Sequence, residues 1–117
     1  MDKSKLAGRE GEAEAARYLK TKGYEIVGMN YSCRYGEIDV IASNGRNIAF
    51  VEVKLRRDAS FAEARDFVTP AKQRRLRSAA AMWLQSNDTP LQPRFDVIEI
   101  YTGGGRPRIN HLENAFE

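Results

Sequence analysis

The segment GEIDVIASNGRNIAFVEVKLR, residues 36–56, limits the fold more than any other stretch of the chain. It reads as two strands, 36–42 and 47–55, joined through Ser43-Asn44-Gly45-Arg46. Asn-Gly between alternating runs is the strongest short-range hairpin signal. A two-residue loop at Asn44-Gly45 sets Ser43 opposite Arg46, Ile41 opposite Ile48, Asp39 opposite Phe50 and Glu37 opposite Glu52. Side chains alternate with period two, so Glu37, Asp39, Ile41, Ile48, Phe50, Glu52 and Lys54 share one face. Ile38, Val40, Ala49, Val51, Val53 and Leu55 share the other, which is wholly apolar and expected in the core. In this register Asp39 and Glu52 are diagonal neighbours with backbones ~7–8 Å apart, within reach of one cation.

Glu37 opposite Glu52 is destabilising unless positive charge lies between them. A divalent metal, Lys54 or a nearby arginine would each supply it. The plainer alternative is a solvent-facing sheet on which Lys54 simply pairs with Glu52. Against that, Ile41, Ile48 and Phe50 on the same face imply a partly covered surface. Half-covered carboxylates suit a hard cation such as Mg²⁺, which takes oxygen ligands and keeps several waters.

The remaining chain supplies elements to cover this hairpin. Residues 3–22 read as an amphipathic helix with Leu6, Ala13, Ala16 and Leu19 at helical spacing and Gly23 as a stop. Gly8 and Gly11 in its first turns each cost roughly 0.5–1 kcal/mol relative to Ala, which points to a close backbone approach or a frayed start. Residues 24–29 are a short first strand. Residues 57–68 are polar, a loop with a short helical piece. Thr69 as N-cap and Pro70 at the first helical position open a second helix with a buried stripe of Leu76, Ala79, Ala80 and Trp83. A loop over 88–93, a strand over 95–101, a Gly103-Gly104-Gly105 turn and an edge strand over 108–112 complete the chain. This order predicts a single α/β domain spanning residues 1–117, a mixed sheet flanked by helices.

Composition narrows the function classes. With 42% hydrophobic and 30% charged residues in 117, the chain is an ordinary globular protein. One Cys and one His permit neither a disulfide framework nor a Cys-rich zinc site. No apolar run approaches ~18 residues and the N-terminus lacks a signal-peptide core, so a cytoplasmic protein with no membrane partner is expected. The net charge of +3 is unevenly spread: Lys54 to Arg77 holds eight basic and three acidic residues, a surplus of five. A basic segment beside acidic strands suits a polyanion held against a metal site, and equally a solvated helix face.

An acid in the first helix, then Gly36-Glu37-Ile38-Asp39 on one strand and Val51-Glu52-Val53-Lys54 on the next, resembles the PD-(D/E)XK nuclease superfamily. More closely, four ordered blocks resemble the YraN family of small bacterial proteins, similar in fold to archaeal Holliday-junction resolvases. The blocks are Gly8-Arg9-x-Gly11-Glu12, Tyr31-x-x-Arg34-x-Gly36-Glu37-Ile38-Asp39, Phe50-Val51-Glu52-Val53-Lys54 and Arg94-Phe95-Asp96-Val97. Ile38 stands where the superfamily's eponymous Pro would be.

The resemblance implies a restriction-endonuclease-like fold and a DNA endonuclease dependent on Mg²⁺ or Mn²⁺. Asp39, Glu52 and the Val53 carbonyl would ligate the metal, with Glu12 as a further ligand or water contact. Lys54 would position or deprotonate the attacking water. Such chemistry is coherent on its own terms, since phosphodiester hydrolysis needs an oriented nucleophile and neutralised oxyanion charge. Glu12 shares a helix face with Ala16 and Leu19; its simpler role is an ion pair with Arg9.

Candidate nucleic-acid contacts are Arg9, Arg56, Arg57, Lys72, Arg74, Arg75 and Arg77. Those from Lys72 onward lie near a helix start, where backbone N–H groups favour phosphate. Asp96 reads as a salt-bridge partner of Arg94 rather than a ligand. His111 has no part in the mechanism, and Trp83 reads as core. Resolving a four-way junction takes two active sites and hence a homodimer. The rival expectation is a nucleic-acid-binding or adaptor protein that keeps the fold without useful hydrolysis.

Overall fold

The computed structural model describes residues 3–56, 68–102 and 105–117. Its elements are α1 (Lys3–Thr21), β1 (Glu25–Cys33), β2 (Gly36–Ser43), β3 (Asn47–Arg56), α2 (Pro70–Ser86), β4 (Gln92–Tyr101) and β5 (Arg108–Phe116). The five strands form one sheet in the order β1-β2-β3-β4-β5. Neighbours are antiparallel except β3 and β4, which run parallel. A parallel pair needs a crossover, and the β3–β4 connection carries α2 over one face. The result is the expected mixed α/β sheet flanked by helices.

Each helix covers its own side. Leu76, Ala79 and Ala80 of α2 pack with Ile41, Ile48, Phe50 and Val97. Ala15 and Leu19 of α1 pack with Val40, Ala49, Val51, Ile98 and Ile100. Both faces of the hairpin are therefore buried, which explains Ile41 and Phe50 beside charged residues. Thr69 caps α2 as expected, its hydroxyl accepting the Lys72 N–H at 3.2 Å. Trp83 packs edge-on to Phe50 with ring centroids 5.8 Å apart. On α1 the buried stripe is Gly11, Ala15, Ala16 and Leu19, while Ala13 is exposed. Gly11 lies against Val53 and Leu55, where an added Cβ would sit 3.5 Å from the Leu55 Cδ1. Gly11 is thus buried against β3, but at ordinary van der Waals distance that a methyl group would tolerate.

Several expectations are corrected. The hairpin register is Ser43↔Ile48, Ala42↔Ala49, Ile41↔Phe50 and Val40↔Val51, two residues away from the one expected. Asn44 causes the shift, because its side-chain oxygen accepts the N–H groups of both Arg46 (3.0 Å) and Asn47 (2.8 Å). That local capture favours a four-residue turn over a two-residue one. A shift of two preserves which side chains share a face. Two apolar residues depart from their expected places: Leu55 is exposed, and Ile38 packs with the α2-side cluster. Strand β1 continues to Cys33 instead of ending at Met29, past Asn30 at φ 54°. Strand β4 starts at Gln92, and β5 runs to Phe116 rather than stopping at Leu112. The short helical piece expected within 57–68 falls mostly outside the described residues.

Candidate functional site where β2 and β3 part

The last registered pair of the β2–β3 ladder is Val40↔Val51. Asp39 stands just beyond it, and its Oδ2 accepts the Val53 N–H at 2.8 Å. The carboxylate thus takes the place of a backbone partner as the strands part. Continuing the register sets Asp39 level with Glu52 rather than diagonal to it. Glu52 is only 6% exposed. Its Oε1 accepts from Lys54 Nζ at 3.3 Å and from Lys72 Nζ at 2.6 Å.

The electrostatics follow from this crowding. Burial, then the neighbouring charge of Glu52, lifts the Asp39 carboxyl from 3.8 to about 7, against the lowering effect of the Val53 N–H. Glu12 and Glu37 push it in the same direction. For Lys54, burial and the adjacent Lys72 ammonium lower the pKa against the pull of Glu52. Burial also disfavours the charged form of Lys72, but its hydrogen bond to Glu52 prevails and the pKa is raised. Two ammonium groups compete for one carboxylate oxygen, and Lys72 holds its proton the more firmly.

A cavity of about 600 Å³ opens over the acid pair. Its floor carries Asp39, Glu52 and Glu37; one wall is α2 with Lys72, Arg75 and Leu76. The β1–β2 turn, which abuts α2, adds Arg34 and Tyr35 to the lining. Tyr35 is 47% exposed, with the Arg34 guanidinium 5.4 Å from its ring centroid. Gly36 fixes this turn against α2, since an added Cβ would meet the Arg75 carbonyl oxygen at 3.1 Å.

The expected site residues thus separate into groups. Asp39, Glu52 and Lys54 come together, and Glu12 is near enough for its charge to act on Asp39. Among the predicted phosphate contacts, Lys72 and Arg75 line the cavity, but Lys72 is engaged with Glu52. Arg74 is exposed outside the cavity lining. Arg77 is drawn to the chain end, donating to the Glu117 carbonyl at 2.5 Å and lying over Phe116. Arg56 pairs with the buried Glu99 at 3.3 Å and borders a separate hollow beside Glu10 and Glu14. The side chain of Arg9, and Arg57 altogether, lie outside the described residues.

Sequence reasoning missed Arg34 and Tyr35 as site residues because it ended the first strand too early. A strand reaching Cys33 makes Arg34-Tyr35 a tight turn at the end of the sheet that holds Asp39. The Asp96 expectation holds: Arg94 donates to both of its oxygens at 2.8 Å. His111 Nε2 lies 2.7 Å from Asp96 Oδ2, and Asn114 donates its N–H to Oδ1 at 3.0 Å.

Fold and site together define a class: an α/β domain in which a half-buried Asp39, a buried Glu52 and two lysines meet where adjacent strands part. The chain belongs to the uncharacterised protein family UPF0102, the YraN family, whose model matches residues 11–100. It is 47% identical over 117 residues to a UPF0102 protein of Nocardia farcinica, covering 98% of this chain and 91% of the relative. A Geobacter sulfurreducens relative is 43% identical over 116 residues, covering 97% and 91%. One from Syntrophomonas wolfei is 44% identical over 112 residues, covering 93% and 96%. Among the described residues no helix is long and apolar enough to cross a membrane.

Proposed function

We propose that this protein is a cytoplasmic, Mg²⁺- or Mn²⁺-dependent endonuclease of the PD-(D/E)XK kind that hydrolyses phosphodiester bonds in branched or otherwise structured DNA. The observation that carries the reading is the meeting of Asp39 and Glu52 at the parting strands, with Lys54 on Glu52. The donor set fits a hard cation, because it offers carboxylate oxygen, and because burial and then the neighbouring Glu52 charge raise Asp39, both of which a cation would offset. Among the described residues no three His, Cys, Asp or Glu side chains form a ready metal cluster. Asp39, Glu52 and the Val53 carbonyl would therefore hold the ion together with waters, as Mg²⁺ prefers.

A bound cation supplies Lewis-acid polarisation of the phosphate and a more acidic water. The chain supplies the rest. The Asp39 and Glu52 carboxylates hold positive charge at one end of the cavity. Lys54, with its lowered pKa, orients or deprotonates the attacking water and shields the charge that develops on phosphate. Arg75 and Arg34, both lining the cavity, receive flanking phosphates, which position the strand without reading its sequence. A four-way junction as substrate requires a homodimer.

The second reading is a DNA-binding or adaptor protein without useful hydrolysis. It is favoured by Glu52 already being neutralised by Lys54 and Lys72. Cleavage assays on linear, nicked, flapped and four-way DNA with Mg²⁺ or Mn²⁺, with Asp39→Ala as control, separate the two. The endonuclease reading expects metal-dependent cutting that Asp39→Ala abolishes. It also expects Lys54→Ala to lose most cleavage while metal still binds. A Lys54→Ala protein that cuts as fast as wild type would sink the catalytic assignment.

A further inference from the structure

We propose that Lys72 links the metal site to the nucleic acid: Glu52 holds its ammonium until a divalent cation binds, and the displaced ammonium then takes a substrate phosphate. This rests on the endonuclease reading of the acid pair and assigns Lys72 as a positioning residue within it.

Three observations carry the inference. First, Lys72 comes from α2, across the cavity from β3, yet its Nζ lies closer to Glu52 Oε1 (2.6 Å) than does that of Lys54 (3.3 Å), which neighbours Glu52 on the same strand. Second, one oxygen bears two ammonium groups, so Glu52 keeps a cation partner when either leaves. A divalent ion against Asp39 and Glu52 repels both lysines, and of the two Lys72 is the one that lines the cavity and so has space to leave. Its side chain is 34% exposed against 26% for Lys54. Third, Lys72 lines the cavity beside Arg75, so its ammonium has open space in which to meet a phosphate. The Thr69 cap holds its backbone, so only the flexible four-carbon stem needs to turn.

The consequence is reciprocal coupling, because a side chain that metal displaces and phosphate captures makes each ligand favour the other. Removing Lys72 has opposite effects on the two ligands. The metal alone gains affinity, since its competitor is gone, while DNA loses the gain that metal confers.

The experiment measures Mn²⁺ binding by calorimetry in wild type, Lys72→Met and Lys72→Arg, each checked for its fold by circular dichroism. DNA binding is followed by fluorescence anisotropy with and without Ca²⁺, which avoids cleavage during the measurement. Lys72→Met is expected to bind Mn²⁺ roughly 2- to 5-fold tighter, the scale of a partly exposed ion pair. Ca²⁺ is expected to tighten DNA binding several-fold in wild type and in Lys72→Arg, and to leave it unchanged in Lys72→Met. A folded Lys72→Met protein with wild-type or weaker Mn²⁺ affinity overturns the role of Lys72 while leaving the metal site standing. Wild type that binds no divalent cation overturns the metal-site reading and the role of Lys72 with it.

Discussion

At the scale of the residue, Asp39 is the most perturbed group of the site. Its carboxyl is raised from 3.8 to about 7 by burial and then by Glu52. A carboxyl that holds its proton more firmly when folded stabilises the fold below pH ~4, and that stability is lost as pH rises toward 7. The metal-free protein should therefore melt at a lower temperature at pH 8 than at pH 5. Asp39→Asn, which cannot ionise, should flatten that difference. Mn²⁺ should reverse it in wild type, because the ionised pair is the ligand, and should leave Asp39→Asn nearly unchanged. Thermal melts at the two pH values, with and without metal, test this. A wild-type midpoint insensitive to Mn²⁺ at pH 8 would remove the cation from the site.

At the scale of the element, the cavity depends on the β1–β2 turn being held against α2. Gly36 makes that possible, since a Cβ there would lie 3.1 Å from the Arg75 carbonyl oxygen and 3.2 Å from the Arg75 Cβ. Backbone at that distance cannot yield as a flexible side-chain tip would, so Gly36→Ala should push the turn off the helix. The expected loss is about 1–3 kcal/mol, the usual scale of overpacking, read from urea unfolding. Because Arg34 and Tyr35 move with the turn, DNA affinity should fall as well. A Gly36→Ala protein of wild-type stability would show that the two elements are not in firm contact.

At the scale of the whole molecule, two features lie outside the acid pair. Asp96, buried at the far side of β4, gathers Arg94, His111 and the Asn114 N–H and ties β5 to the sheet. Burial opposes its ionisation, but His111 and Arg94 outweigh it and lower the pKa. Asp96→Ala would leave Arg94, whose side chain is only 12% exposed, with just the Tyr24 hydroxyl and a 3.8 Å pair to the exposed Glu113. The expected cost is about 3–5 kcal/mol, the range for breaking a buried pair, measured by denaturant unfolding. A loss under 1 kcal/mol would mean that water already reaches Arg94. Charge distribution sets the second expectation. With Arg34, Lys72 and Arg75 around the cavity, DNA affinity should fall steeply with salt as bound phosphates release counterions. Affinity unchanged between low and moderate salt would count against nucleic acid as the partner.

The sequence alone determined which residues from Val40 to Val51 share a face, because alternation survives a register shift of two; it misplaced Ile38 and Leu55 at the hairpin's open end. It also determined the α2 cap, the burial of Leu76, Ala79 and Ala80, and the mixed order of helices and strands. These are local properties, set by spacing and by the chemistry of Thr69-Pro70. That Asp39 lies level with Glu52 was also local in origin, set by Asn44 capturing two nearby backbone N–H groups, but the Asn-Gly pattern read as a shorter turn and so hid it. Only the tertiary structure brought Lys72 from a distant helix onto Glu52, sent Arg77 to the chain end and tied Arg56 to Glu99. A long cationic side chain reaches whichever buried carboxylate the packing of elements brings near, and no local pattern encodes that choice.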